Sequence, residues 1–310
     1  MNLEKLISTY LTYCRYQKKL SLKTIKAYAT DLRQFQKYLQ NNSYAINISK
    51  QSITEYITHI HKNHQPKTIK RKIASIKAFF NYMQYEEIIE TNPFDKINVK
   101  FKEPFTLPRT IPINMLQKIL STAYNEATKT NASEYQINTV TRDIAVLELL
   151  FATGVRVSEL CNLTDKDVDL TNRVIRISGK GSKERIVQIG NHEVLAALQK
   201  YYRKFSDHII ECGFFFVNKL HRGLSDQSVR LIIIKYTKKA NIPNHITPHM
   251  FRHSFATLLL EEDVDIRYIQ RLLGHSSITT TQIYTHVSSN KQKQILTTKH
   301  PRNKIVVNKG

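Results

Sequence analysis

Cysteine, acidic residues and long apolar runs are all in short supply in this chain. Its three cysteines, Cys14, Cys161 and Cys212, are odd in number, far apart and never arranged as CxxC. Neither a disulfide framework nor a zinc site is expected from them, and a reducing cytoplasm is the expected compartment. Only 25 Asp and Glu stand against 47 Lys and Arg, so the formal net charge is +22 and the pI about 9.8. No segment approaches the roughly 18 consecutive apolar residues of a membrane span. The opening MNLEKLISTYLTYCRYQKK has no uncharged apolar core followed by a small-residue cleavage site. A secreted scaffold and a membrane protein are thereby set aside.

What is present is positive charge on a chain able to fold. Such an excess makes a polyanion the expected partner, because neutralising phosphates releases their condensed counterions. A histone-like packaging protein would share the charge. Here 41% hydrophobic residues, with 13 Phe and 16 Tyr, supply real cores, and 310 residues accommodate two domains.

The first hundred residues read as helices only. After Ser21, a candidate N-cap, Ile25, Tyr28, Leu32, Phe35 and Leu39 recur at spacings of three and four, the period of one helix face. Ser52 is expected to open a shorter helix with Ile53, Tyr56, Ile57 and Ile60 inward. A third follows Pro66 with Ile69, Ile73, Ile76, Phe80 and Met83 inward, and its other positions carry Lys67, Lys70, Arg71, Lys72 and Lys77. A basic face can be mere solvation, but the overall charge points these five residues toward DNA. Asn92-Pro93 closes a domain of residues 1–97. A basic, proline-punctuated linker over 98–112 follows, holding Pro104, Pro108 and Pro112.

The second domain is expected over 113–298, ahead of a basic tail at 299–310. It opens with a helix from Ile113 to about Ala127, then a polar loop, TKTNASEYQ. A deeply buried helix should run from Arg142 to about Thr153. RVIRIS and RIVQI alternate and are β-branched, and with GKGSK between them they read as a hairpin with a glycine-rich tip. FFFV at 214–217 is a candidate third strand. Helices resume near His192 and beyond Pro248, and Asp263 or Asp265 should cap a short helix ending at Gly274.

Chemistry concentrates in ATGVRVSEL, GKGSKER, HMFRHSFAT and LLGHSSITTTQIYTHV. Arg156 and Arg252 offer forked donors that suit the non-bridging oxygens of a phosphodiester. Lys180, between glycines at the hairpin tip, can donate a proton to a leaving oxygen, with Lys183 as its rival. GKGSK lacks the spacing of a nucleotide-binding Walker loop. His249 and His253 stand four apart, yet Met250 occupies the position where a zinc protease carries Glu, so no metal is expected. His249 faces a phosphate more naturally, and His275 lies nine residues before Tyr284. A tyrosine nucleophile suits strand exchange, since its ester conserves the energy of the broken bond with neither ATP nor metal.

In these segments the chain resembles the tyrosine recombinase (phage integrase) family, most closely the short Xer-type and simple integrases. SLKTIKAYATDLRQFQKYL extends the resemblance into the N-terminal half. It implies a mainly α fold with a small antiparallel β-sheet. An N-terminal helical core-binding (SAM-like) domain would precede a C-terminal α+β tyrosine recombinase catalytic domain. It implies Arg156 and Arg252 as phosphate clamps, Lys180 as general acid, His249 and His275 as the histidine pair and Tyr284 as nucleophile. Glu159 resembles the family's acid that orients the first arginine. No cofactor is implied. The implied partners are double-stranded DNA with a specific core site and three further protomers, as a homotetramer or as a heterotetramer with a second recombinase. The two domains would close around a duplex, and strands would pass through a Holliday junction. The implied place is the cytoplasm, on the nucleoid.

Two features depart from Xer proteins: a longer segment at 126–139, and Leu258 where they usually carry His. An additional N-terminal arm-binding domain, as in large phage integrases, is not expected. Integration or excision of a mobile element therefore stands beside chromosome or plasmid dimer resolution. A non-catalytic DNA-binding accessory protein on the same fold and a type IB topoisomerase-like relaxing enzyme remain the alternatives.

Overall fold

Helix starts in the N-terminal region are set by short polar side chains that satisfy the free N–H groups of a first turn. Asn2 accepts from Lys5 N–H at 3.2 Å to open α1 (Leu3–Tyr16), and Ser21 accepts from Thr24 N–H at 3.2 Å to open α2 (Leu22–Asn41). Ser49, not Ser52, caps α3 (Lys50–Asn63). Ser52 sits three residues in and completes the box by accepting Ser49 N–H at 3.1 Å. Pro66, whose missing N–H costs nothing at a helix start, begins α4 (Pro66–Tyr85). The computed structural model describes residues 2–42, 48–95, 97, 109–179, 184–274 and 289–307. Two compact units are distinguished, Met1–Thr106 and Leu107–Gly310. Most of the linker expected at 98–112 lies outside the described residues.

In the first unit the inward stripes meet in one core. Leu32, Phe35 and Leu39 of α2 are buried with Ile53, Tyr56 and Ile60 of α3 and Ile69, Ile76, Phe80 and Met83 of α4. Ile25 and Tyr28 flank it, half-buried. Lys72 departs from its expected place on the outer face of α4. It is 3% exposed, its Nζ lies 3.6 Å from Asp31 Oδ1, and it donates to Gln34 Oε1. Asp31, fully buried on α2, needs cations, and it draws in Lys72 together with Arg71 and the Ser75 hydroxyl, the last at 2.9 Å. Lys67, Lys70, Arg71 and Lys77 remain exposed.

The second unit is built around α6 (Glu134–Thr153), on which α5 (Ile113–Ala127), α8 (His192–Cys212) and α10 (Pro248–Glu261) pack. Its last eleven residues, from Asp143 on, are buried without interruption. The helix begins eight residues before the expected Arg142. Ser133 and Gln136 close a capping box, at 3.3 and 2.9 Å, inside the stretch expected to be loop. Those first turns are exposed, so no apolar stripe marked them. A three-stranded antiparallel sheet runs in the order β1 (Val168–Asp169), β2 (Val174–Ser178), β3 (Glu184–Gln188). FFFV contributes no strand to it. Phe215, Phe216 and Val217 are buried, but Phe215 O and Val217 N–H both bond the Tyr201 hydroxyl at 2.9 Å, and Phe215 N–H bonds Leu163 O at 2.7 Å. Leu224 N–H bonds Phe216 O at 2.8 Å and Val217 forms an isolated antiparallel bridge with Gly223, so the segment pairs with its own return and not with the sheet.

α7 (Val157–Cys161), α9 (Asp226–Lys239), α11 (Ile266–Leu273) and α12 (Ser289–Thr298) complete the unit. The described residues after α12, 299–307, are not a loose basic tail. His300 Nε2 lies 2.6 Å from Ala152 O, and Ile305 joins the core. Arg302, 2% exposed, forks onto Glu148 at 2.8–3.1 Å and reaches Glu193 at 3.0 Å, while Tyr124 donates to Glu148 at 2.9 Å. Burial opposes the Arg302 charge, but the hydrogen bonds and charge of Glu148 outweigh it and raise its pKa. Arg302→Met is expected to lower the unfolding free energy by about 3–5 kcal/mol, the usual cost of leaving one buried partner uncompensated. Adding Glu148→Leu should recover much of that loss. Urea unfolding of the single and double variants measures both, and additive losses would contradict the pairing.

Candidate active site

Four pieces of chain converge on one helix end. α6 stops at Gly154, whose φ of +58° is left-handed and whose Cβ, were there one, would lie 2.6 Å from Phe255 and 2.8 Å from Leu273. Only glycine fits that turn. It delivers Arg156 to the N-cap of α7, where Glu159, one turn on, accepts the Arg156 backbone N–H at 2.8 Å and its Nη1 at 2.6 Å. The side chain is thus clamped by its own helix.

The focus is the C-terminal end of α11. Asp265, accepting from Arg267 N–H at 2.8 Å, opens this helix, and Gly274 closes it with φ +64°. The carbonyls of its last turn have no partner within the helix and carry the negative end of its dipole. Three arginines take them in succession. Arg185 Nε donates to Leu272 O at 2.8 Å, Arg252 Nη2 to Leu273 O at 2.5 Å and Arg156 Nη2 to Gly274 O at 3.4 Å. Arg252 comes from α10, is 5% exposed, and also donates to Gly154 O at 2.7 Å. Arg185 comes from β3 and holds both Glu159 oxygens, at 3.1 and 2.7 Å.

Electrostatics follow from that count: three guanidinium groups share one carboxylate. Burial alone would raise the Glu159 carboxyl, but hydrogen bonds from Arg185 and Arg156 outweigh it and bring its pKa down to about 2. Burial, followed by the charges of Arg156 and Arg185, lowers Arg252 to about 10, still charged at neutral pH. Such a cluster, with Arg252 buried and Arg156 35% exposed, has donors of the kind that can receive an oxyanion.

Of the residues singled out in the sequence, Arg156, Glu159 and Arg252 are brought together. His249 lies one turn before Arg252 on the exposed side of α10. His253 is half-buried, its pKa lowered by burial and then by the charges of His249 and Arg252. Lys180, Lys183, His275 and Tyr284 lie outside the described residues, although Gly274 immediately precedes His275. Lys72 is spent on Asp31 inside the N-terminal unit. No group of three or more His, Cys, Asp or Glu side chains that could hold a metal occurs among the described residues. Sequence reasoning missed Arg185. Strand alternation carried the signal, because 185 shares a face with the buried Val187 while Ile186, 52% exposed, points away.

A mainly helical, two-unit chain with an arginine cluster at the end of α11 has the chemistry of a phosphate-handling protein. Residues 115–291 match the phage integrase family, and residues 7–87 match the phage integrase N-terminal SAM-like domain. A tyrosine recombinase of Agathobacter rectalis is 54% identical over 303 residues, covering 97% of this chain and 98% of its own. Tyrosine recombinase XerD of Staphylococcus epidermidis is 37% identical, covering 96% and 99%. The solved structure of XerH site-specific recombinase in a post-cleavage complex with palindromic difH substrate shares the fold. Its TM-score is 0.70 at 23% identity, over 93% of this chain and 82% of that one. The chain belongs to the tyrosine recombinases of the phage integrase family, enzymes of site-specific DNA strand exchange.

Glu159 gives the site a pH signature. Its pKa falls from an ordinary 4.5 to about 2, so its ionisation stabilises the fold fully above about pH 4.5, and that contribution is lost as pH falls toward 2. Glu159→Gln should cost at most about 3 kcal/mol near neutral pH, and the gap to the parent should close on acidification. Denaturant midpoints between pH 7 and pH 3 check this. A gap that does not change with pH would sink it.

Proposed function

We propose that this chain cuts and rejoins duplex DNA at a specific core site through a 3′-phosphotyrosyl intermediate and a Holliday junction. The Tyr284 oxygen attacks the scissile phosphorus, the bond to the 5′-oxygen breaks, and Lys180 protonates that oxygen as it leaves. Arg156 and Arg252 hold the non-bridging oxygens, with His249 and His275 beside them, and Glu159 fixes Arg156. Attack by a 5′-hydroxyl of the partner strand reverses the step and frees the tyrosine. Residues 1–97, with Lys67, Lys70, Arg71 and Lys77 outward, would grip the DNA backbone, and residues 113–298 would carry the chemistry. Four protomers, alike or paired with a second recombinase, would act together in the cytoplasm on the nucleoid. Element mobility or dimer resolution would be the task.

One observation carries the reading: guanidinium groups from far-apart segments meet on the turn that leads into His275. Support also comes from the XerH structure, which shares the fold and was solved on a palindromic difH substrate. An accessory DNA-binding protein would share the positive charge but would have no need of Tyr284 in sequence with Arg156, Lys180, His249, Arg252 and His275, since binding alone requires no nucleophile.

The test is a nicked suicide duplex carrying the target site, recovered by selection from random DNA. The parent chain should become covalently trapped on it, and Tyr284→Phe should not. An adduct with Tyr284→Phe would overturn the assignment. Lys180→Ala should slow cleavage by about 10²–10⁴-fold, the range for a lost general acid. A 5′-bridging phosphorothioate, whose thiolate leaves unprotonated, should restore the rate. Without that rescue the role moves to Lys183.

A further inference from the structure

We infer that Arg185 is a positioning residue for strand cleavage, tying the β2–β3 hairpin, the Glu159–Arg156 pair and the turn at Gly274 into one unit. The inference rests on the recombinase reading above and adds to it a residue that the six-residue machinery does not include.

The strand itself is the first observation. Arg185 pairs with Ile177 across the sheet and lies on the face that buries Ile175, Ile177 and Val187. A strand selected for packing alone would turn Ile186 inward and the arginine to solvent. The reverse arrangement desolvates a charge, and such a charge is tolerated only with full hydrogen bonding. Each of the three Arg185 nitrogens has a partner, Nε on Leu272 O and the two Nη on the two oxygens of Glu159.

The second observation is what those bonds do for Arg156. Glu159 Oε1 receives Nη1 of both arginines, and Oε2 receives the Arg156 backbone N–H and Arg185 Nη2. Four donors leave the carboxylate one orientation. Without Arg185 the pair Arg156–Glu159 would be electrically balanced, and only Arg252 would remain in excess. With it, three positive charges stand against one negative. The pentacoordinate transition state carries more negative charge than the phosphodiester, so the excess favours it over the ground state.

The third is the turn. A Cβ on Gly274 would lie 2.9 Å from Arg185 Nη1 and 3.2 Å from its Cδ, so the arginine forms the surface on which that glycine rests. His275 follows directly. At the other end, β3 starts at Glu184, one residue before Arg185 and directly after GKGSK in the sequence, the segment that holds Lys180. One side chain therefore fixes the base of the acid's hairpin, the clamp's carboxylate and the start of the His275 segment.

The experiment compares single-turnover cleavage of the nicked duplex, DNA affinity and melting temperature for the parent, Arg185→Gln, Arg185→Lys, Glu159→Gln and the Arg185→Gln/Glu159→Gln double variant. Arg185→Gln should slow cleavage by about 10²-fold, as loss of one charge-stabilising donor does, while DNA affinity stays within about threefold. In the double variant the two effects should not multiply, because both act through one carboxylate. A methylphosphonate at the scissile position, which removes one negative charge, should shrink the Arg185→Gln defect; a purely structural role would leave the defect unchanged. If Arg185→Gln melts below the assay temperature, Arg185→Lys carries the test. One ammonium cannot serve both Glu159 and Leu272, so this folded variant should still cleave about tenfold slower. Multiplying effects, an undiminished defect on methylphosphonate, or parental cleavage by a folded Arg185 variant would each overturn the inference. A parent chain that forms no Tyr284-dependent adduct would fell the recombinase reading and this inference together. A parent that cleaves beside equally active Arg185 variants would fell this inference alone.

Discussion

The end of α11 is the constraint on which the site depends. Leu272, Leu273 and Gly274 present consecutive carbonyls, and Arg185, Arg252 and Arg156 each take one. A carbonyl fixes a guanidinium without cancelling its charge, whereas a carboxylate fixes and cancels together. Three mutually repelling cations can therefore be held in one place and stay cationic, helped by the negative end of the helix dipole. With a single carboxylate bonded to them among the described residues, the cluster is ordered while keeping excess positive charge. A phosphodiester entering such a place meets donors that need no reorganisation.

That helix end holds its position because α6 is held first. The buried half of α6 runs to Gly154, where the chain turns toward Arg156 and where Arg252 takes the Gly154 carbonyl. Behind the turn, His300 bonds Ala152 O and Arg302 binds Glu148, so the residues that follow α12 brace the last turns of α6. Gly190 lets Leu296 approach so closely that a Cβ would stand 2.5 Å from its carbonyl. Segments remote in sequence from Arg156 thus decide where its guanidinium sits.

Much of this was legible in the sequence, for identifiable reasons. Stripes such as Leu32, Phe35 and Leu39 announce helices because one period rules a whole face, and Ser21, Asp265 and Gly274 announce ends because few residue types satisfy those turns. Arg156 and Arg252 drew notice because forked donors suit a phosphodiester, and Glu159 through the family resemblance alone; the structure brings the three together. What escaped depends on partners far along the chain. Lys72 looked like one more exposed lysine, since nothing local says that Asp31 lies buried opposite it. Arg302 looked like tail, since its carboxylates are at 148 and 193. The early turns of α6 escaped because an exposed helix has no inward stripe. FFFV looked like a sheet strand because a short apolar run is all that sequence shows; its backbone pairs instead with the Tyr201 hydroxyl, with Leu163 and with the return through Gly223 and Leu224.

Arg185 shows how charge in this molecule divides between structure and chemistry. Lys72 and Arg302 are buried and each reaches a carboxylate, Asp31 and Glu148, so each spends its charge on the fold. Arg252 is as buried, yet its described hydrogen bonds run to two carbonyls, and its lowered pKa records the cost of leaving it so. Arg185 stands between the two kinds, sharing Glu159 with Arg156 and spending the rest on Leu272 O. Remove that sharing and Arg156 becomes an ordinary neutralised pair like the others. The one carboxylate is thus divided, and the division is what separates a salt bridge from an anion site.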